Sequence, residues 1–266
     1  MNKILNYSAV KAIVMRHLFE WRRNLDRVVD TFWWSTIDII FWGLTSSYIK
    51  QNNPQIPNIV TLFLGGIILW TFVQNSQRDI NMPLLNDAWN RNLVNLFSTP
   101  IRLRDFIAGT LVLGLIKLSM SFVFLSVVAF LLYQFNIFYL GYFLILAMVN
   151  LILVGWWVGF IISGLILRFS YRVEAFAWSL VFAIYPFSAI FYPVDILPGW
   201  AQAVAKVLPT SYIFESMRSI IFDGTFSWGN IIISFILNLI YLTLSILFLK
   251  KMFRESLRTG RLVKLN

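Results

Sequence analysis

The sequence predicts an all-α integral membrane protein with six transmembrane helices, N-in/C-in. An N-terminal interfacial helix should precede the first span, and an external re-entrant helical hairpin should separate the fifth from the sixth. Three observations predict this fold. Of 266 residues, 59% are hydrophobic and only 13% charged, whereas soluble domains carry about 45–50% and about 25%. Several runs approach the roughly 20 apolar residues that a spanning helix needs. The 22 Lys and Arg also fall very unevenly among the segments that join those runs, which sets orientation.

Residues 1–27 open the chain with a basic amphipathic stretch. Over 7–24, Val10, Ile13, Val14 and Leu18 are apolar while Lys11, Arg22 and Arg23 are basic, the pattern of a helix lying in the membrane interface. Arg16, Glu20, Arg22 and Arg23 deny the stretch the apolar core of a cleavable signal. The spans are expected at 28–49, 59–77, 106–133, 138–167, 176–192 and 228–249. With the N-terminus inside, segments 1–27, 78–105, 168–175 and 250–266 hold 18 of the 22 basic residues. The external segments 50–58, 134–137 and 193–227 hold 3, and Lys117 lies within the third span. That asymmetry places both termini in the cytoplasm.

Between spans two and three, residues 83–97 predict an amphipathic helix. Leu85, Trp89, Leu93 and Leu96 recur at helical spacing, with Asn86, Asn90, Arg91 and Asn95 elsewhere on its surface. Pro83 suits its first turn and Pro100 ends it. Such a helix serves either to lie on the membrane or to dock a cytoplasmic protein. The external segment 193–227 carries Pro193, Pro198, Lys206, Pro209, Glu215 and Arg218, and these charges are costly at mid-bilayer. It predicts two short helices, 199–208 and 210–222, broken at Pro209 and ended by Gly224. They should dip into the outer leaflet and return, beside protein or a water-filled path.

Composition excludes several chemistries. With no cysteine there are no disulfides and no sulfur-ligated metals. One histidine, His17, gives no imidazole metal cluster. The net charge of +10 follows from cytoplasmic Lys and Arg, so nucleic acid is not an expected partner. Gly109 and Gly114 have the spacing of a phosphate-binding loop, but Leu115 stands where lysine is required, so the chain should hold no ATP or Mg. The scattered acids give no clustered acid–base or nucleophile set for an intramembrane enzyme.

Within the spans, Asp38 and Lys117 each lie about 15 Å in from the cytoplasmic end, at 1.5 Å per residue. Two arrangements fit: an Asp38–Lys117 pair, or Asp38 facing a hydrated path along the stripe Thr31, Ser35, Asp38, Trp42 and Thr45. Gly155, Gly159 and Ser163 recur every four residues and predict a close helix–helix contact. Aromatic residues including Trp33, Trp34, Trp42, Tyr185, Phe187, Phe191 and Tyr192 either anchor and pack the spans or line a path. The two halves share no evident repeat, which argues against a secondary transporter built on repeats. Ion-coupled export through Asp38 is the alternative function.

The run PFSAIFYPVDILPGWAQAVAKVLPTSYIFESMR, Pro186 to Arg218, together with LFSTPIRLRDFIAG, Leu96 to Gly109, resembles the ABC-2 family of ATP-binding-cassette exporter permeases. The resemblance covers almost the whole chain in layout. It implies one membrane half of an exporter, in which a second copy or a related permease completes the pathway. A separate ABC ATPase would supply the energy, with ATP and Mg held there. It further implies that 83–97 is the coupling helix, with Leu85, Trp89, Arg91, Leu93 and Leu96 on it. The hairpin bearing Pro193, Pro198, Pro209, Glu215 and Arg218 would help close the outer gate, and Ser35, Asp38, Trp42, Tyr185 and Phe187 are the path candidates. A prokaryotic inner or plasma membrane and cargo such as drugs, lipids or lipid-linked glycans fit that family. In domain terms, 1–266 is one transmembrane unit, with 28–192 holding spans one to five and 250–266 a basic tail.

Overall fold

The computed structural model describes residues 5–56 and 58–259, apart from the side chains of Asp30 and Tyr171. Residues 1–4 and the last seven of the expected basic tail, 260–266, lie outside that description. Every regular element among the described residues is helical. The order is α1 (Tyr7–Arg23), α2 (Leu25–Asn52), α3 (Ile59–Trp89), α4 (Leu93–Ser98), α5 (Leu103–Tyr133) and α6 (Tyr142–Phe169). Then come α7 (Glu174–Ile184), α8 (Gly199–Val207), α9 (Pro209–Asp223) and α10 (Trp228–Arg258). Four helices are long and apolar enough to cross a membrane: α3, α5, α6 and α10. At 28 residues, α2 has the length but is interrupted by charge. The helix at 174–187 is shorter.

The core is α3. In its most apolar window 83% of residues are buried, against 22% in both α5 and α10. It therefore sits at the centre, with α2, α5, α6, α7 and α9 around it, while α5 and α10 turn most of their apolar surface outward. Close approach to α6 comes from small residues. A Cβ on Gly155 would lie 2.5 Å from Ser76 Cβ and 2.7 Å from the Val73 carbonyl oxygen. One turn on, Gly159 faces Ile80, and Ser163 donates to Asn81 Oδ1 at 3.0 Å. The stripe expected to pack closely does so, and its partner is α3. Along the other side of α6, Trp157 Nε1 donates to Asn238 Oδ1 (3.2 Å), and Asn238 Nδ2 donates to the Asn150 carbonyl (3.1 Å). These buried polar groups satisfy each other where no water is at hand.

Two expected elements differ. Residues 83–97 are not one helix, and Pro83 does not begin one; it lies inside α3, which runs on to Trp89. There the Asn92 amide donates to the Asp87 carbonyl and the Arg91 amide to that of Ala88, with Arg91 left-handed at φ 53. That is a Schellman ending, built on arginine where glycine is usual. The fifth expected span, 176–192, is helical only to Phe187. Beyond it the chain turns through a buried left-handed Ala189, φ 56. Helices α8 and α9 form where Pro209 and Gly224 predict two short helices, with Pro209 in the first turn of α9 and Gly224 left-handed after it. They lie at the Ile59 end of α3, where Asn58 Nδ2 donates to the Ile221 carbonyl and Gly66 meets Ile190. Helix α1 lies at the opposite end, with Ile13 against Gly109 of α5.

Candidate translocation cleft and coupling junction

Between α2, α3 and α7 lies a cleft of 510 Å³. Its polar lining is Ser35, Asp38, Gln74, Asn75, Gln77 and Arg78, and its aromatic lining is Trp34, Trp178 and Phe182. The polar run Gln74–Arg78 stands on α3, where five successive residues sweep more than one turn, so several of them reach the same wall. Gln77 is spent on structure, donating to the Ala177 carbonyl at 3.1 Å. Arg78 donates to Asn75 Oδ1 at 2.9 Å, leaving the buried Asn75 Nδ2 without a partner. Asp38 makes no hydrogen bond or ion pair among the described residues. The wall thus offers a carboxylate, a hydroxyl, amide donors and a guanidinium beside flat aromatic faces.

Lys117 does not pair with Asp38. It pairs with Asp79 of α3, which is 6% exposed at its side chain. Asp79 lies beyond the expected end of the second span, so the sequence reading did not weigh it. Gly114 makes the room, since a Cβ there would stand 3.2 Å from Asp79 Cβ.

The other path candidates divide. Trp42, one turn beyond Asp38 on α2, stacks on Phe191 at 4.3 Å between centroids, and Phe191 stacks on Phe63 at 4.8 Å. Tyr185 meets Trp70 edge-on at 5.0 Å and Phe191 at 6.1 Å. These rings form an aromatic layer at the end of the cleft nearer α8 and α9. Phe187 stands apart, against Trp200 of α8 at 5.8 Å.

Among the hairpin residues, Glu215 and Arg218 act together. Glu215 Oε1 accepts from the Val194 amide at 2.7 Å, and Oε2 forms an ion pair with Arg218 at 2.8 Å. Arg218 also donates to the carbonyl of Ala189 at 2.7 Å. The pair holds the turn from 189 to 194, next to Pro193. Pro198 and Pro209 mark the starts of α8 and α9.

At the far end of α3 the expected docking stripe is divided between inside and outside. Leu85, Leu93 and Leu96 are buried in the protein, at 0%, 2% and 6% exposure, whereas Trp89 is 40% exposed. The outward face is Trp89, Asn90, Arg91, Val94, Asn95 and Ser98. Helical period marks a stripe but not which of two apolar surroundings it faces, so Val94 was missed. This turn is tied to three neighbours. Asp87, buried, accepts from Arg16 of α1 at 2.6 Å and from Asn92 at 3.0 Å. Trp89 Nε1 donates to Glu174 of α7 at 3.2 Å, and Phe97 packs on Phe253 of α10 at 5.0 Å.

On α1, Glu20 joins Arg16, Arg27 and His17 at 3.3, 3.0 and 3.3 Å. Burial works against the Glu20 carboxylate, yet His17 and the two guanidinium groups hold it below its usual range. Burial pushes the His17 imidazole down, with Glu20 opposing.

The family model for ABC-2 type transporters matches residues 8–222, from α1 to the last turn of α9. The chain belongs to that family. Comparison with curated proteins gives no match. As an ABC-2 transporter protein it is a multi-pass membrane permease, a transport subunit and not itself a catalytic domain, and the family normally works with an ABC ATPase. The two phosphate-loop-like glycines serve packing, Gly109 on Ile13 and Gly114 on Asp79.

Proposed function

We propose that the chain is the membrane half of an ATP-driven exporter in a prokaryotic plasma membrane. It would cross six times with both termini inside, α2 and α7 supplying the first and fifth spans. A second copy would close the cleft, whose open side is rimmed by Trp34, Trp178 and Phe182, each at least 42% exposed. The cargo would be an amphipathic molecule, a lipid, a lipid-linked glycan or a drug-like compound, held by the polar wall and by stacking on the aromatic rings. The aromatic layer and the α8–α9 hairpin would close the outer end as a re-entrant gate. ATP and Mg would be held by the partner ATPase, docked on the face around Trp89.

One observation carries this reading. A single helix, α3, forms the cleft wall at Gln74–Arg78 and, three turns on, the exposed junction at Trp89. Displacement at the junction therefore reaches the cleft along one continuous helix, in which Pro83 removes a single backbone hydrogen bond. Truncating Trp89, an exposed aromatic anchor of the kind that contributes about 2 kcal/mol or more at interfaces, should cut co-purification of the ATPase or uncouple hydrolysis from export. Val94→Asp should do the same without touching the Glu174 contact, and Asn90→Ala should not. Wild-type coupling in both Trp89→Ala and Val94→Asp would remove the docking assignment. Topology is checked by single-cysteine labelling in this cysteine-free chain: Arg258→Cys should react only from the cytoplasm.

Ion-coupled secondary transport is the second reading, favoured by the unpaired state of Asp38. Gradient-driven export by vesicles that lack any ATPase would select it.

A further inference from the structure

A second cavity lies outside the cleft, between α1, α2, α3 and α5, and its volume is 110 Å³. That is room for about four waters at roughly 30 Å³ each, or for one tetrahedral oxyanion. Its ionic lining is Arg27, Arg78, Lys117 and Asp79, with His17 and Trp21 completing the wall. Three cations and one carboxylate thus line it, with Lys117 paired to Asp79, Arg27 to Glu20 at 3.0 Å, and Arg78 donating to Asn75. Arg27 is 39% exposed at its side chain and stands toward the surface, while His17 is 5% exposed. The His17 ring is held on one side by Glu20, and its Nε2 is buried with no partner at all. An orphan imidazole nitrogen on a polar cavity wall is an incomplete hydrogen-bond site, and the charge around it selects an anion.

We propose that this cavity binds a phosphate group, with Arg27 and Lys117 balancing its charge and His17 Nε2 donating to one oxygen. With Nδ1 directed to the Glu20 carboxylate, Nε2 donates only when the ring is protonated. The groups that set this are Arg16 and Glu20 on α1, Arg27 on α2, Arg78, Asp79 and Asp87 on α3, and Lys117 on α5. In the empty site burial keeps the imidazole neutral below its usual titration range. A phosphate dianion beside it favours the imidazolium, so binding takes up a proton and raises the pH at which His17 titrates. The cavity lies at the α1 end of the bundle, within reach of a lipid headgroup as well as of dissolved phosphate. The proposal requires no transport and stands apart from the coupling assignment.

His17 is the one histidine in the chain, so 15N-histidine labelling gives a single imidazole to follow, provided purification uses a tag without histidine. The protein in maltoside micelles, which contain no phosphate, would be titrated with inorganic phosphate and, separately, with short-chain phosphatidic acid, each against matched chloride. The expected result is a move of the Nε2 resonance toward the imidazolium position and a rise of the His17 midpoint by about one pH unit, a tenfold shift in proton affinity. A response to both ligands assigns the site to the phosphate group itself. Response to phosphatidic acid alone assigns it to an anchored headgroup, and response to inorganic phosphate alone to a soluble anion. Arg27→Gln should weaken the response at least tenfold, and the exposed control Arg254→Gln should leave it intact. An imidazole that ignores both ligands into the tens of millimolar, or that responds equally in Arg27→Gln, overturns the proposal.

Discussion

Lys117→Met is expected to destabilise the protein by about 3–5 kcal/mol, the usual consequence of removing one partner from a buried ion pair. The Asp79 side chain is 6% exposed and is packed against Gly114, so the orphaned carboxylate is left facing only the 110 Å³ cavity whose wall it shares with Arg27 and Arg78. It must stay charged without a partner or take up a proton, and both raise the free energy of the folded state. The pair itself contributes much less than its rupture costs, because both ions were desolvated to form it. The double variant Lys117→Met with Asp79→Leu should therefore recover most of the loss. Thermal unfolding in detergent, followed for both single variants and the double, provides the check. A double variant no more stable than Lys117→Met would mean that the two residues act separately.

Gly155→Ala should be more damaging than Gly159→Ala or Gly199→Ala, with a cost at or above the roughly 1–3 kcal/mol typical of overpacking. The added methyl would meet Ser76 Cβ at 2.5 Å and the Val73 carbonyl oxygen at 2.7 Å. A main-chain oxygen inside a helix cannot step aside, so α6 and α3 would have to separate and loosen the Ser163–Asn81 bond two turns further on. Gly159→Ala should cost less, since its nearest neighbour is the Ile80 side chain at 3.1 Å, which can rotate. Gly199→Ala meets nothing within 4 Å and should be neutral. Folded yield and unfolding midpoint for the three variants test the ranking, and a Gly159→Ala loss equal to that of Gly155→Ala would contradict the backbone-contact argument.

These two sites differ in how far they could be read from residues alone. The small-residue stripe announces a close contact because every fourth residue lacks bulk, although nothing in α6 says that α3 is what it meets. The Asp79 pairing has no such local signature. Which acid faces Lys117 depends on the rotation and length of α3, and a span ended by hydropathy at 77 left Asp79 outside. Helices α8 and α9 were legible because Pro209 and Gly224 punctuate the backbone. The break after Trp89 was not, because Asn90, Arg91 and Asn92 carry neither glycine nor proline, and the apolar spacing of Leu85, Trp89, Leu93 and Leu96 runs straight through it. In the cleft, Ser35 and Asp38 were readable as a polar stripe on α2. Gln74, Asn75 and Arg78 were passed over, since polar residues near the end of a span look like the start of a loop.

The central position of α3 also constrains how the gene can change. Residues spaced along that helix are each in phase with a partner elsewhere: Gly66 with Ile190, Ser76 with Gly155, Asp79 with Lys117, Asp87 with Arg16. Inserting or deleting one codon between Ile59 and Trp89 would turn everything beyond it by about 100°, given 3.6 residues per turn, and break all the contacts on one side of the change at once. Drift in length should therefore be confined to the joints, such as 53–58 and 134–141. Among proteins descended from a common ancestor with this one, the 31 residues of α3 should form an ungapped block even where few of their identities are shared.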